Sequence, residues 1–118
     1  MSEGHNNYTN YETWLVAVHM DNDPYDQQYW LDAARETYGQ ATDTTESGLK
    51  FTREINARLT LEERLRDAYD EALEELKLRQ GVFSDLLNAA MGSVNWRELA
   101  GNLIDSIVEE ESNATKDR

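Results

Sequence analysis

The chain has 118 residues, no cysteine, and 24 acidic against 11 basic residues, which gives a formal net charge of −13. This length fits one domain, and the absence of cysteine excludes disulfides, thiolate metal sites and cysteine nucleophiles. The negative charge repels nucleic acid and anionic membranes and attracts basic protein surfaces. We therefore expect a protein partner, with no direct nucleic-acid or membrane binding.

The first two helices are marked by caps and by apolar spacing. Thr9 and Glu12 match a capping box, and residues at i, i+3, i+4 and i+7 then form an apolar stripe: Tyr11, Trp14, Leu15 and Val18. Asp23-Pro24 begins a second helix, with aspartate as N-cap and proline at the first helical position. This helix is predicted to end at Gly39 and to carry Tyr25, Tyr29, Trp30, Ala33, Ala34 and Tyr38.

The middle of the chain predicts a loop followed by two helices. Residues 39–47 contain no apolar residue larger than alanine and form the expected loop, and a modest helix is predicted over 47–58. Thr60 and Glu63 match a second capping box and begin the clearest helix, which Gly81 is predicted to end. Its apolar stripe is Leu61, Leu65, Ala68, Tyr69, Ala72, Leu73 and Leu76.

The carboxy-terminal part predicts one short and one long helix. The short helix holds Leu86 and Leu87 and closes at Gly92. The last helix begins with Asn95 as its cap, and Glu98 completes the capping box. Its buried face is predicted to be Trp96, Leu99, Ala100, Leu103, Ile104, Ile107 and Val108.

Together these elements predict an all-α fold, a single small domain of five to six helices. We expect residues 1–8 to be a flexible amino terminus, 9–110 to be the helical domain, and 111–118 to be a disordered tail. The amino terminus lacks the basic and apolar segments of a signal peptide. No apolar run reaches the ~18–20 residues of a membrane span. We therefore expect a soluble, cytoplasmic protein, in the host-cell cytoplasm if the gene is viral.

Patterns for catalysis or metal binding are weak in this sequence. His5 and His19 lack the spacing of a metal-binding helix pair. The acidic run that begins at Asp21 is similar to the start of a calcium loop, but the glycine needed at the sixth position is missing and Pro24 breaks the register. No phosphate loop, nucleophile elbow or catalytic triad pattern occurs. We predict no enzyme activity, no cofactor and no metal.

Aromatic residues are concentrated in the first third of the chain. Seven of the eleven lie within residues 8–38: Tyr8, Tyr11, Trp14, Tyr25, Tyr29, Trp30 and Tyr38. A platform that stacks nucleic-acid bases needs interleaved positive charge, and this segment has only Arg35. Two interpretations stay open. The rings pack between the first two helices, or they form a surface for a protein partner, because tyrosine and tryptophan are common at binding hot spots.

The fourth predicted helix carries a row of acids: Asp67, Asp70, Glu71, Glu74 and Glu75. Successive helical turns place carboxylates ~5 Å apart along the axis, and phosphates along a DNA strand have a comparable spacing of several Å. Such a row can imitate phosphates to a DNA-binding protein, and the alternative is an ordinary solvated face. The next candidates for partner contacts are Asp21, Asp23 and Asp26.

The acidity also has an interpretation that involves no partner. Lysine is scarce, with three residues against eight arginines. An acid-rich, lysine-poor composition is typical of halophilic organisms, in which the charge keeps the protein solvated. Recognition of a basic partner and adaptation to salt therefore both account for the composition.

The segment NYTNYETW, from Asn7 to Trp14, precedes an acidic break at Asp21-Asn22-Asp23. It resembles a family of small proteins carried by phages, plasmids and haloarchaea, whose amino termini read N-Y-x-x-Y-E-T-W. The segments DLLNAA at 85–90 and VNWRE at 94–98 are similar to the carboxy-terminal half of that family. His19 departs from the pattern, since the family often has further apolar residues there. The resemblance implies a mobile-element setting, in which small acidic proteins often disable host defences by imitating DNA.

We therefore predict a small acidic mobile-element protein that binds another protein. The most concrete version is a DNA-mimic inhibitor of the anti-restriction, anti-CRISPR or glycosylase-inhibitor type. Its partner would then be a basic nucleic-acid-binding surface. The alternatives are a salt-adapted structural or assembly protein, for which a homodimer fits, and a regulatory adaptor that uses the aromatic surface.

Overall fold

The computed structural model describes residues 6–75 and 81–116, and the side chains up to residue 114. Within these ranges the chain forms five helices and one short hairpin. In order they are α1 (Tyr11–Asn22), α2 (Pro24–Gln40), β1 (Thr44–Glu46), β2 (Leu49–Phe51), α3 (Arg53–Glu75), α4 (Val82–Ser93) and α5 (Trp96–Lys116). The prediction of a small all-α domain is confirmed.

The core lies where α2, α3 and α5 pack together. Ala34, Ala57 and Ala100, one from each helix, are fully buried, and such small side chains allow helices to approach closely. Larger side chains fill the space around them: Trp30, Leu61, Leu65, Trp96, Leu99, Ile104 and Ile107. The predicted buried face of the last helix is thereby confirmed, with Leu103 and Val108 at its partly buried edge.

The predicted apolar stripe of α1 is wrong. The buried residues of α1 are Thr13, Ala17 and Met20, whereas Tyr11 is 50% exposed. Apolar residues occur on all sides of this helix, so spacing alone does not select a face. The small side chains of Thr13 and Ala17 define the side that packs closely against the rest of the protein.

The beginnings of α1 and α5 are joined in one hydrogen-bonded cluster. Asn10, not Thr9, caps α1, and its Oδ1 accepts from the Thr13 amide at 2.9 Å. Asn95 caps α5 as predicted, accepting from the Glu98 amide at 3.0 Å. The Asn95 amide donates to Thr13 Oγ1 at 2.8 Å, and the carboxylate of Glu98 accepts from the Thr9 amide at 2.9 Å. Glu98 therefore connects the two helix starts and does not close a box within α5.

The segment from 39 to 60 differs most from its prediction. Gly39 lies inside α2, which continues to Gln40. The first part of the helix expected over 47–58 instead belongs to the antiparallel β1–β2 hairpin, and the helix begins only at Arg53. Ser47 and Gly48 have φ of 51° and 80° at its turn, as a tight hairpin with two left-handed residues requires.

The third and fourth predicted helices are one helix, α3, and Thr60 lies in its middle. The start of α3 is stabilised instead by Thr52, whose Oγ1 accepts from the Ile55 amide at 3.2 Å. Two segments could each begin the helix, one starting at Thr52 and the other at Thr60. The buried series Ala57, Leu61 and Leu65 runs through Thr60 without a break, and this packing favours continuation.

The ends of the domain also differ from expectation. Tyr8 packs against the core, so the flexible amino terminus expected over 1–8 does not include it, and residues 1–5 lie outside the described residues. α5 continues to Lys116, into the segment expected to be a disordered tail. Leu76 of the predicted stripe also lies outside the described residues. No described helix has the length and apolarity needed to cross a membrane.

The Thr13 hydroxyl is expected to stabilise the fold measurably. Thr13→Val keeps the shape and removes the acceptor for the partly buried Asn95 amide, which should lower the free energy of unfolding by about 1–3 kcal/mol. Denaturant unfolding measures this change. The exposed Thr60→Val is the matched control and should change stability by less than about 0.5 kcal/mol; equal effects in both variants would contradict the role of Thr13.

Trp96 is only 6% exposed, so its removal should leave a cavity in the core. We expect Trp96→Ala to lower the free energy of unfolding by about 3–5 kcal/mol. Phe83→Ala, at a ring that is 79% exposed, is the control and should have an effect within about 0.5 kcal/mol. A loss below about 1 kcal/mol in Trp96→Ala would show that α5 is not anchored through this ring.

Candidate protein-binding surface

The five acids predicted on one helix do share one face of α3. Asp67, Asp70, Glu71, Glu74 and Glu75 are all exposed, and we call them the acidic face. Helical geometry spreads them over about 12 Å of axis and about 140° of arc. Glu63, also exposed, lies one turn before Asp67 on the same side and was missed by the sequence analysis. Its i−4 spacing from Asp67 is the signal that identifies it.

No ion pair between described residues involves the acidic face. The described bases pair with acids elsewhere: Arg35 with Asp32 and Glu110, Lys50 with Asp43, Arg58 with Glu54 and Asp105, Arg64 with Glu36, and Arg66 and Arg97 with Glu62. Arg53 donates to the Tyr38 carbonyl at 2.8 Å and lies over the Tyr38 ring. Among the described residues, no base therefore compensates the charge of the acidic face.

Most of these bases lie at seams between helices. Arg35 links α2 to Glu110 of α5 through two hydrogen bonds of 2.9 Å, and this pairing holds the pKa of Glu110 below its usual range. Glu62, the one buried acid among the described residues, accepts from Arg66 at 2.9 Å and from Arg97 of α5 at 3.0 Å. The described positive charges are thus mostly engaged between helices, and none of them pairs with the acidic face.

The second group of predicted acids does not form one site. Asp23 caps α2, and its Oδ1 accepts from the amides of Tyr25 at 2.9 Å and Asp26 at 3.3 Å. Asp21 borders a recess between α1, α2 and α5 that is also lined by Leu103. Asp26 alone faces α3, near Tyr69.

Asp26 lines a groove between α2 and the second half of α3. This aromatic groove has a volume of about 390 Å³ and is lined by Asp26, Tyr29, Trp30, Ala68, Tyr69 and Ala72. The two helices are far apart in the sequence, so helical spacing did not predict that Asp26 and Tyr69 meet. The groove combines ring surfaces with a carboxylate that has no ion pair among the described residues.

A series of rings connects this groove to the core. Tyr29 meets Trp30 edge-on with centroids 4.9 Å apart, Trp30 stacks on Tyr69 at 6.4 Å, and Tyr69 contacts Trp96 at 5.0 Å. Trp30 is 5% exposed, whereas Tyr29 is 58% and Tyr25 is 89% exposed. The two interpretations of the aromatic segment thus apply to different residues, since Trp30 packs in the core and the two tyrosines reach solvent.

Tyr69 is the titratable residue of the groove whose pKa is perturbed. Burial raises the pKa of Tyr69 because it disfavours the phenolate, and repulsion from the Asp26 carboxylate raises the pKa further. The protonated phenol is the form that the fold favours.

A second groove opens on the other side of the same α3 segment. It has a volume of about 220 Å³ and is lined by Tyr69, Ala72, Leu73, Leu87 and Met91. No residue of α4 is buried, and three of its apolar side chains are largely exposed: Val82, Phe83 and Leu86. A helix was expected here, but its exposure was not, because a mainly apolar segment with one acid is typical of a buried helix.

The described residues contain no cluster of three or more His, Cys, Asp or Glu side chains that could hold a metal ion. His19 is exposed in the last turn of α1, and His5 lies outside the described residues. What the surface offers is unpaired carboxylates beside apolar grooves, an arrangement suited to binding. Comparison with protein-family models, curated proteins and solved structures finds no match to the chain.

The raised pKa of Tyr69 has a testable pH dependence. Its folded pKa lies above the unfolded value of about 10, so this contribution to stability is complete below that pH and is lost as pH rises through the folded pKa. Asp26→Asn should lower the pKa of Tyr69 only partway, because burial is the larger cause. Tyrosine ring NMR measures the titration, with Glu46→Gln as the control of equal charge. An unchanged Tyr69 titration in Asp26→Asn would contradict the contact.

Proposed function

We propose that the chain binds a basic surface of another protein through its acidic face. In the most concrete form it is a DNA-mimic inhibitor that occupies the DNA-binding channel of a restriction enzyme, a CRISPR effector or a DNA-repair glycosylase. The observation that supports this proposal is the distribution of charge. Most of the described bases pair at the seams between helices, while the five exposed carboxylates on α3 have no ion pair with another described residue.

The arrangement of these carboxylates supports mimicry. Asp67, Glu71 and Glu75 follow one another at i+4 spacing, which places them about 6 Å apart along the helix axis. Phosphates along a DNA strand have a comparable spacing. A rigid helix holds the charges in place without a partner, so little ordering is needed when a basic surface docks.

The mechanism would be competition for one surface. The acidic face would contact the arginines and lysines that otherwise hold DNA phosphates, and the bulk of the domain would block entry to the channel. Complementary charge speeds encounter and is weakened by salt. The resemblance to proteins of phages, plasmids and haloarchaea supports a host enzyme as the target, since mobile elements meet such enzymes on entry.

A salt-adapted structural protein or assembly protein is the principal alternative. In that case the same carboxylates would serve solvation alone, and a homodimer would be a natural form. The two proposals differ in one measurable respect. A binding surface loses affinity for its partner when its charge is removed, and a solvating surface loses only solubility or salt tolerance.

A pull-down from host lysate at low and high salt identifies the partner. The test is then a quadruple variant of the acidic face: Asp67→Asn, Asp70→Asn, Glu71→Gln and Glu74→Gln. These positions lie away from the buried side of α3, so the fold should survive, and reduced like-charge repulsion favours it. Affinity for the partner should fall at least tenfold, about 1.4 kcal/mol, with a shallower dependence on salt.

A matched control removes four charges elsewhere on the surface: Glu12→Gln, Glu46→Gln, Asp85→Asn and Glu109→Gln. It has the same net charge as the quadruple variant and should bind within about threefold of the wild type, since distant charges are screened. An equal loss of affinity in both variants would show that only the net charge of the protein matters, and not the position of the acids. A folded quadruple variant with unchanged affinity and salt slope would exclude the acidic face as the interface.

A further inference from the structure

The two grooves beside α3 are continuous. Tyr69 and Ala72 line both the aromatic groove and the groove below α4, so the surface runs from α2 across the second half of α3 to α4. We call the combined surface the docking groove. Its floor is rigid, because Tyr69 packs between the rings of Trp30 and Trp96.

Both ends of the docking groove present uncovered apolar surface. Tyr29 is 58% exposed at the α2 end, and Phe83 is 79% exposed on α4. Phe83, Leu87 and Met91 follow at i+4 spacing, so they lie on one side of α4, and Leu87 and Met91 line the groove. A contiguous apolar surface of this kind marks an interaction site more often than an isolated exposed side chain does.

The rim of the docking groove is acidic. Asp26 lies within its lining. Asp70 precedes Leu73 by three residues, and Glu75 follows Ala72 by three, so an acid of the acidic face neighbours the groove on each side of α3. The described residues that line the groove include no base. An occupant must therefore be apolar along one side and positively charged along its edges.

We infer that the docking groove binds a basic amphipathic helix of a partner protein. The inference rests on the proposed function, that the chain binds a basic protein, and adds the form of the recognised element. An amphipathic helix in an apolar groove is a recurrent mode of recognition. Its apolar side would contact Leu73, Leu87 and Met91, and its lysines or arginines would lie beside the acidic rim.

The α2 end of the groove fits one cationic side chain in particular. A lysine or arginine placed there meets the Asp26 carboxylate and the rings of Tyr29 and Tyr69 together. Carboxylates bind such cations by charge-assisted hydrogen bonds, and aromatic faces attract them. A second copy of this chain is the poorer occupant, because each copy carries a net charge of −13 and like charges repel.

The test uses a synthetic amphipathic helix of leucine and lysine, about 14 residues or four turns long. A scrambled peptide of the same composition is the peptide control. Calorimetry measures affinity, and methyl NMR reports contacts at Leu73, Leu87 and Met91. We expect the amphipathic peptide to bind at least tenfold more tightly than the scrambled one and to shift these three methyl signals.

The groove variant combines Asp26→Asn with Leu87→Gln. Asp26 makes no side-chain ion pair among the described residues and Leu87 is partly exposed, so the fold should be kept, which circular dichroism checks. The matched control combines Glu46→Gln with Leu49→Gln in the hairpin. Asn56 joins the hairpin to the start of α3, about 20 Å along the helix from the groove. The groove variant should lose at least tenfold in peptide affinity and the control less than twofold.

The outcomes separate this inference from the acidic-face proposal. Unchanged peptide affinity in a folded groove variant, or peptide binding that leaves the methyl signals of Leu73, Leu87 and Met91 unshifted, overturns the groove and leaves that proposal intact. Peptide binding in the groove, together with a quadruple acidic-face variant that binds the host partner normally, supports the groove and overturns the acidic-face proposal. A dimer whose interface covers Leu87 overturns the inference in favour of a second copy.

Discussion

The placement of a few positive charges determines which acids are paired at the seams between helices and which stay unpaired at the described surface of this protein. With 11 bases against 24 acids, each base has a choice of partners, and most of the described ones bridge two helices. Arg35 and Arg58 join α5 to α2 and α3, and Arg64 joins α3 to α2. Exposed pairs of this kind contribute little individually. They place opposite charges where the helices meet, and no described base pairs with the acidic face of α3.

The buried side of a helix was predictable from the sequence where its apolar residues fall on one side only. α5 was predicted well because its apolar residues fall on one side and Asn95 is an unambiguous cap. α1 was not, because its apolar residues surround the helix and packing selected Thr13 and Ala17. Thr60 matched a cap signal, but continuous burial from Ala57 to Leu65 overrode it. Local signals predict helices reliably, and tertiary contacts decide where some of them begin and which side is buried.

The candidate surface was predictable only within one helix. The acidic face follows from spacing in α3, so its residues could be named from the sequence. The docking groove joins Asp26, Tyr69 and Leu87 from three helices. Helical spacing relates residues only within one helix, so the sequence did not predict that these three lie close together. Asp23 was predicted to contact a partner, but its side chain caps α2 by accepting from the amides of the first turn.

The cluster that joins the starts of α1 and α5 has a consequence for biosynthesis. Asn10 donates to the Ser93 carbonyl at 2.7 Å, and Thr13 accepts from the Asn95 amide, so residues near the amino terminus find these partners only when most of the chain exists. α2 and α3 meet over shorter separations and can pack while translation continues. The contacts that tie α1 to Ser93 and Asn95 are thus among the last to form, and the side of α1 that they cover stays open to chaperones or to misassembly during that delay.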